Sequence, residues 1–509
     1  MKQINKYIVK TLVLVFLGLI GYSCTDLEED LSSVLLIEDL KTEAELLGAL
    51  APIYRNTQFA YKEPHKLQVA TYGADDMTTW WAGNKAPLRI FDGFNYGDGE
   101  NADNAWMAES WNNFWKTIYY ANTLIAGLKT ASAPADQVQI ADAEARYHRA
   151  LSYFNLVRTW GNLPVILEDD IPTGDELRAT VLENYMHIEA DLKIAELGLP
   201  VPGANGEGRL SAGAAKALLA DLYLTWAGWP VKDVSKYQMA ADKAKEVIDY
   251  GYYSLLDIDQ LWLLENENSK ESIFSIQFSA DENMGSGYAS AFSFHQARGW
   301  SDAYPELQFF NDFPEGARKD ATFATEIPNR GVSNGVIVDK DPATVPWQDS
   351  ERMHPMYKKF TISEDLTVGN RVANFRAFEL IRYAEVLLIY AEAQARGDGE
   401  NASSIEALNQ VKRRAMGLPY NTPNATVDVT TATADEILAE KGWELAGEYK
   451  RWFDLIRTET LEEIALKRDV TENVPLTKQP TKDNYISPIP YSTIQTTRLI
   501  QNPEGFVIQ

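Results

Sequence analysis

Apolar residues along this chain recur at three- and four-residue steps in several separate stretches, and each predicts an amphipathic helix. The clearest lies in residues 144–164. Tyr147, Ala150, Leu151, Phe154 and Val157 share one face there, while Arg146, Arg149 and Asn155 fall elsewhere on the wheel. Gly161 stands where a C-cap residue belongs, and Pro164 prevents the helix from resuming. An extended piece, residues 163–167, follows. Residues 42–59 place Leu46, Leu47, Leu50, Ile53 and Tyr54 on one side. In residues 106–128, Trp111, Trp115 and Ile118 follow i, i+4, i+7 and read as core. Tyr185, Ile188, Leu192 and Ala195 line a further face that ends near Leu199 and Pro200. Residues 436–457 form the last long helical pattern. Glu440, Glu444 and Glu448 are spaced i, i+4, i+8 on it, and Arg451 and Asp454 continue the charged stripe.

Two helical patterns have small residues on the inward face. Residues 211–226, with Ser211 as the expected N-cap, carry Ala214, Ala217, Leu218 and Leu222; residues 237–250 carry Ala240, Ala244 and Val247. Two such helices joined by a short linker resemble one tetratricopeptide-type repeat. Residues 382–395 and 404–415 form a second pair. Helical pairs of this kind stack into a curved array that holds other segments against it. The expected fold class is therefore mainly α: a tetratricopeptide-like scaffold with a loop-rich irregular lobe and a few short strands.

The remaining stretches lack a helical period. Residues 72–103 are rich in Gly, Asn and Asp and read as a long loop region, and long ordered loops tend to be functional. They carry Asp75, Asp76, Trp80, Trp81 and Asn84. Two adjacent tryptophans cannot both face a core from a regular helix, so at least one is expected at the surface. Residues 273–278 are strand-like. From there to about residue 374 the pattern breaks into Gly, Pro, Asn and aromatic residues, and this loop-rich insertion holds Trp300, Tyr304 and Trp347. The chain closes on an extended segment, residues 485–490.

Charge narrows the partners. The chain of 509 residues has a formal net charge of −26, which repels nucleic acid. Lys2, Lys6 and Lys10 precede an apolar run, residues 11–20, with the form of an export signal. That run is too short to span a membrane, and no later stretch is long and apolar enough. Cys24, the single cysteine, cannot form an internal disulfide. Its place after Gly21-Tyr22-Ser23 resembles a lipobox, with Gly21 where Leu is usual, so Cys24 is the expected lipidation site. The alternative is ordinary signal cleavage with an incidental thiol. Each buried acyl CH₂ contributes about 0.8 kcal/mol, so two or more chains anchor stably. The acidic residues 25–30 then form a solvated tether.

Six collinear stretches together resemble the SusD/RagB family of outer-membrane nutrient-binding lipoproteins. They are EARYHRALSYFNLVRTWGNLPVI from Glu144, YMHIEADLKIAELGLP from Tyr185, RLSAGAAKALLADLYLTWAG from Arg209, IRYAEVLLIYAEA from Ile381, ELAGEYKRWFDLIR from Glu444, and SPIPYSTI with QNP near the end. Gly442-Trp443 departs from the family, which more often has a basic residue there, and this weakens any expectation of a charge network in that helix. The resemblance implies four tetratricopeptide-like units and an irregular lobe. It divides the chain into a removed signal peptide (1–23), an acylated cysteine with its tether (24–41), an N-terminal region (42–270) and a C-terminal region (271–509) forming one compact unit with it. It also implies a lipid anchor on the outer face of the outer membrane and a SusC-like TonB-dependent β-barrel transporter as partner. Family members capture oligosaccharides, or in some cases peptides, and are not catalysts.

The candidate residues fit a sugar. Pyranose rings present an apolar C–H face and a hydroxyl rim. Flat aromatics suit the first, and Asp, Asn, Gln and Arg hydrogen-bond the second. Trp80 and Trp81 with Asp75, Asp76 and Asn84 are the first ligand-binding candidates, Trp300 and Tyr304 the second, and Trp347 the third. The alternative for each aromatic is packing against the scaffold. Asp75 and Asp76 could also be read as the acid/base carboxylates of a glycosidase, although adjacent residues rarely face one substrate across a cleft. Asp98, Glu100 and Asp103 offer hard oxygen ligands for Ca²⁺, but their spacing misses the EF-hand pattern and fits a solvated turn better. His65, His148, His187, His295 and His354 lack metal-ligand spacing. No nucleophile, Walker or dinucleotide-binding motif is present, so neither catalysis nor a cofactor is expected. A peptide-binding importer component and a glycan-degrading enzyme remain the alternatives.

Overall fold

The computed structural model describes residues 40–96, 104–279, 285–294, 299–333, 336–360, 375–476 and 478–502. Cys24 and the Ca²⁺ candidates Asp98, Glu100 and Asp103 lie outside them.

The helical frame follows the apolar periodicity. It comprises α1 (Glu43–Ala60), α2 (Ala105–Leu128), α3 (Ala135–Trp160), α4 (Val181–Gly198), α5 (Ala212–Trp226), α6 (Lys236–Asp249), α7 (Tyr383–Arg396), α8 (Ala402–Ala415) and α9 (Ala434–Glu444). Capping boxes begin four of them: Thr42 with Glu45, Thr180 with Glu183, Asn401 with Ser404, and Thr433 with Glu436. Each helix packs on its successor from α1 through α6; α6 packs on α7, and α7 on both α8 and α9. The small faces of α5 and α6 are buried, where alanines let the two backbones approach closely. α3 ends as expected at Gly161, whose φ of 73° places it in the left-handed region. Ser211 occupies the N-cap of α5, but its hydroxyl meets the Tyr253 hydroxyl at 3.3 Å and caps no backbone N–H.

The irregular lobe holds more regular structure than its sequence suggests. β1 (Ser272–Ile276) pairs antiparallel with a strand just before α7, and β2 (Glu326–Ser333) with β3 (Val336–Pro346) forms an antiparallel hairpin inside the expected insertion. The partner of β1 is β4 (Phe378–Arg382), with Ile276 opposite Phe378. A short helix, Ala86–Asp92, interrupts the expected long loop.

Two polar patterns turn inward. α3 is covered by α1, α2 and α4, so Arg149 and Asn155, which lie off its apolar face, are interior as well. Arg149 is buried and reaches Asp191 at 2.7 Å, Glu168 at 2.7 Å and Asn122 at 2.6 Å. Asn155 is buried as well. The last helical pattern divides: α9 stops at Glu444, and a separate helix, Arg451–Arg457, follows. At the break, Gly447 has φ 73° and Tyr449 has φ 60°. A Cβ on Gly447 would lie 2.9 Å from the Tyr357 ring, so both conformation and space require glycine. The freed Gly447 N–H donates to Asp76 Oδ2 at 2.9 Å.

The carboxylates of this region form a buried ion network, which the resemblance gives less reason to expect. Glu444 meets Arg382 and Arg414 at 2.6 Å each and Arg318 at 3.1 Å. Glu448 meets Arg382 at 2.8 Å and Lys359 at 2.7 Å, and Glu440 meets Arg318 at 2.6 Å. Glu271, just before β1, meets Arg382 and Arg414 at 3.1 Å each. Burial alone would raise the Glu444 carboxyl, but Arg414, Arg382 and Arg318 outweigh it and hold it well below the ordinary carboxylate range.

Glu444→Ala would leave three buried guanidiniums without a shared counter-charge. The expected loss is about 3–5 kcal/mol of unfolding free energy, read from urea denaturation at pH 7. Asp76 gives the opposite pH signature. Burial first and neighbouring Asp75 second push its carboxyl up to about 7, against the Gly447 N–H, Arg451 and Lys359. The folded state thus keeps a proton that the unfolded chain releases above its ordinary value near 3.8. This group therefore favours folding at low pH, and that advantage is lost as pH rises through about 7. Asp76→Asn removes the loss. Its stability should gain on the wild type by on the order of 1–2 kcal/mol between pH 5 and 7, and parallel curves for the two proteins would contradict this.

Candidate functional site

The two irregular stretches that supply the aromatic candidates are paired in space. The Thr78 N–H donates to the Tyr304 carbonyl at 2.8 Å, and the Tyr304 N–H donates back to the Thr78 carbonyl at 3.2 Å. Just below this bridge, the Thr78 hydroxyl and Thr79 N–H both donate to Asp92 Oδ2, at 2.9 and 3.1 Å. Asp92 meets Arg468 at 2.9 Å, and Arg468 meets Glu306 at 2.5 Å. Burial pushes the Asp92 carboxyl up to about 6, with Arg468 and Thr78 opposing. On the far side of the loop, Lys85 forms an ion pair with buried Asp302, and the Arg89 guanidinium donates to the Ala82 carbonyl. His65 lies 3.5 Å from the same Asp302 carboxylate. Residues 80–84 are thus clamped at both ends by interior polar contacts.

This clamped tip presents the tryptophan pair. Trp81 is 62% exposed and Trp80 is half-buried. Their ring centroids lie 5.6 Å apart at an interplanar angle of 46°. The Arg352 guanidinium sits over the Trp80 ring, 4.4 Å from its centroid, and is itself only 7% exposed. Asn84 is exposed on the turn that follows, and exposed Met353 follows Arg352 at a φ of 54°. The surface therefore joins an exposed indole, an exposed carboxamide and a guanidinium-backed second indole.

The other candidates are placed elsewhere. Asp75 turns to Arg451, with Nε–Oδ1 at 2.8 Å. Asp76 is fully buried, so it belongs to the interior and not to a ligand surface; burial raises its carboxyl, and its Oδ2 serves Gly447. The two carboxylates do not face one another across a cleft, which removes the glycosidase geometry. Tyr304 is also fully buried: its hydroxyl accepts from Asn473 Nδ2 at 3.1 Å, and its ring lies 4.7 Å from that of His354. Its contribution is the backbone bridge, not a ligand contact. Trp300 is half-buried with its ring 5.5 Å from His65, over the space that Gly287 leaves by lacking a Cβ. Trp347 is half-buried and meets Phe310 edge-on at 6.1 Å. Arg352 escaped sequence reading because its neighbour Trp80 is some 270 residues away and nothing local to 350–354 signals the contact. Among the described residues, no group of three or more His, Cys, Asp or Glu is placed to hold a metal ion.

Comparison with known proteins accounts for this architecture. Residues 270–505 match the model of the SusD family, and residues 41–224 match a model described as starch-binding, associating with the outer membrane. A SusD-like protein of Formosa agariphila, P2, is 25% identical over 97% of this chain and 99% of its own length. The crystal structure of a SusD homologue from Bacteroides thetaiotaomicron superposes with a TM-score of 0.77 at 22% identity, over 91% of this chain and 97% of that one. A laminarin-binding SusD-like protein superposes with a TM-score of 0.73 at 26% identity, over 91% and 99%. The stacked helical pairs, the irregular lobe carried on them and the two family matches lead to one conclusion: the chain belongs to the SusD/RagB family of binding proteins, whose members are not catalysts.

Proposed function

We propose that this protein is a cell-surface glycan-binding lipoprotein that captures oligosaccharide and delivers it to a SusC-like TonB-dependent transporter in the outer membrane. One observation carries the ligand class. A large indole, Trp81, stays mostly exposed on a loop whose two ends are fixed by buried contacts. An exposed aromatic held this firmly loses little conformational entropy when a flat apolar ring settles on it. Exposed Asn84 offers both a donor and an acceptor to a hydroxyl rim. The 26% identity to a laminarin-binding protein and the starch-binding description of a matching family model support the same class.

The proposal includes attachment through Cys24, whose preceding residues resemble a lipobox. Cys24→Ala should shift the protein from the membrane fraction to the soluble fraction and abolish acyl labelling.

Affinity electrophoresis in gels containing laminarin or starch tests the ligand reading. Wild-type protein should be retarded without releasing reducing ends. Trp81→Ala should weaken retention about ten-fold or more, equivalent to about 1.4 kcal/mol, with an unchanged melting temperature because the ring is exposed. Tyr304→Phe should do the reverse, keeping retention while losing about 1 kcal/mol of stability with its Asn473 hydrogen bond. Unaltered retention in Trp81→Ala would exclude this surface, and reducing ends released from the polysaccharide would exclude a pure binding role.

A further inference from the structure

Trp443 sits at the edge of a second cleft. Ala439 and Trp443 lie one turn apart on α9; Gln308 and Asp312 lie one turn apart on the short helix Leu307–Asp312. These residues line a small open cleft of about 180 Å³, room for a single ring and not for a long ligand. Its floor is the Asp75–Arg451 pair, joined through Nε–Oδ1 at 2.8 Å and Nη2–Oδ2 at 3.1 Å. The pair is 15% and 11% exposed, so it remains within reach of a ligand. Gly442 makes this floor possible: a Cβ there would lie 2.9 Å from Arg451 Nη1 and displace the guanidinium.

The lining is specific about charge. Asp75 is answered by Arg451, Glu306 by Arg468 at 2.5 Å, and Lys467 by Glu463 at 3.0 Å. The Gln308 carboxamide and Asp312 carboxylate hold no hydrogen bond or ion pair among the described residues, although both line the cleft. The site thus offers a half-buried indole, an unengaged carboxamide, an unengaged acceptor and a neutralised ion pair. No unmatched cation is present among its described residues to draw an anion. We propose that this cleft is a second binding site, selective for a neutral hydroxylated ring, separate from the Trp81 surface.

The proposal rests on the glycan-binding reading. Both sites lie along one short segment, with Asp75 in the cleft and Trp81 at the surface, and buried residues 76–79 between them. A polysaccharide long enough to reach both would gain avidity from the second contact.

Isothermal titration with laminari-oligosaccharides and malto-oligosaccharides separates the possibilities. The expected result is two sites per wild-type chain for one of these probes and one site in each of Trp81→Ala and Trp443→Ala. Binding should vanish in the double variant. Gln308→Ala should weaken the second site at least ten-fold, and it covers the case in which Trp443→Ala fails to fold. One site in the wild type, with Trp443→Ala or Gln308→Ala binding as the wild type does, would overturn the second cleft and leave the Trp81 surface standing. No binding of either probe by the wild type would overturn both.

Discussion

The structure depends on one buried charge constellation. Glu444 gathers Arg318, Arg382 and Arg414, and Glu271 and Glu448 complete the set. Withdrawing so many charges from water is unfavourable by several kcal/mol per ion before pairing. The cluster is tolerable only because each carboxylate meets more than one cation at hydrogen-bond distance. Its members come from distant places: Glu271 before β1, Arg318 from the irregular lobe, Arg382 from β4, Arg414 from the end of α8, and Glu444 from the end of α9. Partial assembly would strand charges in a dry interior. These buried ion pairs tie the frame and the lobe to each other.

A smaller arrangement of the same kind supports the tryptophan surface. Asp92 receives two donors from residues 78 and 79 and is neutralised by Arg468, which also holds Glu306. Lys85 and Asp302 close the other end. The loop tip is fixed by polar contacts underneath and not by burying its aromatics. That is why Trp81 can stay in solvent without the loop collapsing onto the core.

The helices were legible because their determinants are local: apolar spacing, small faces and cap residues. Gly161 was correctly read as a stop because the glycine and the following proline lie within four residues. The other helix stop, at Glu444, was not, since what holds the Gly447 turn is Asp76, some 370 residues earlier in the chain. Arg149 and Asn155 fall off the apolar face of the helical wheel, but a wheel does not show how many neighbours a helix has, and α3 has them on three sides. For the site, the Trp80-Trp81 doublet carried a real constraint, and one ring is indeed exposed. Asp76 and Tyr304 looked equally functional as polar groups in irregular sequence, yet both are fully buried, each with a distant polar partner. Residue type in a loop indicates chemistry, whereas burial is decided by contacts between stretches far apart in sequence.

The clamp around residues 80–84 has a consequence for how such proteins diversify. The anchoring contacts belong to Thr78, Thr79, Lys85 and the backbone of Ala82, and a side chain added at Gly83 would touch nothing within 4 Å. Trp81, Gly83 and Asn84 can therefore be exchanged without disturbing the seat beneath them. The tip behaves as a replaceable cartridge. Sequence can drift at the tip while the polar seat beneath it is inherited unchanged.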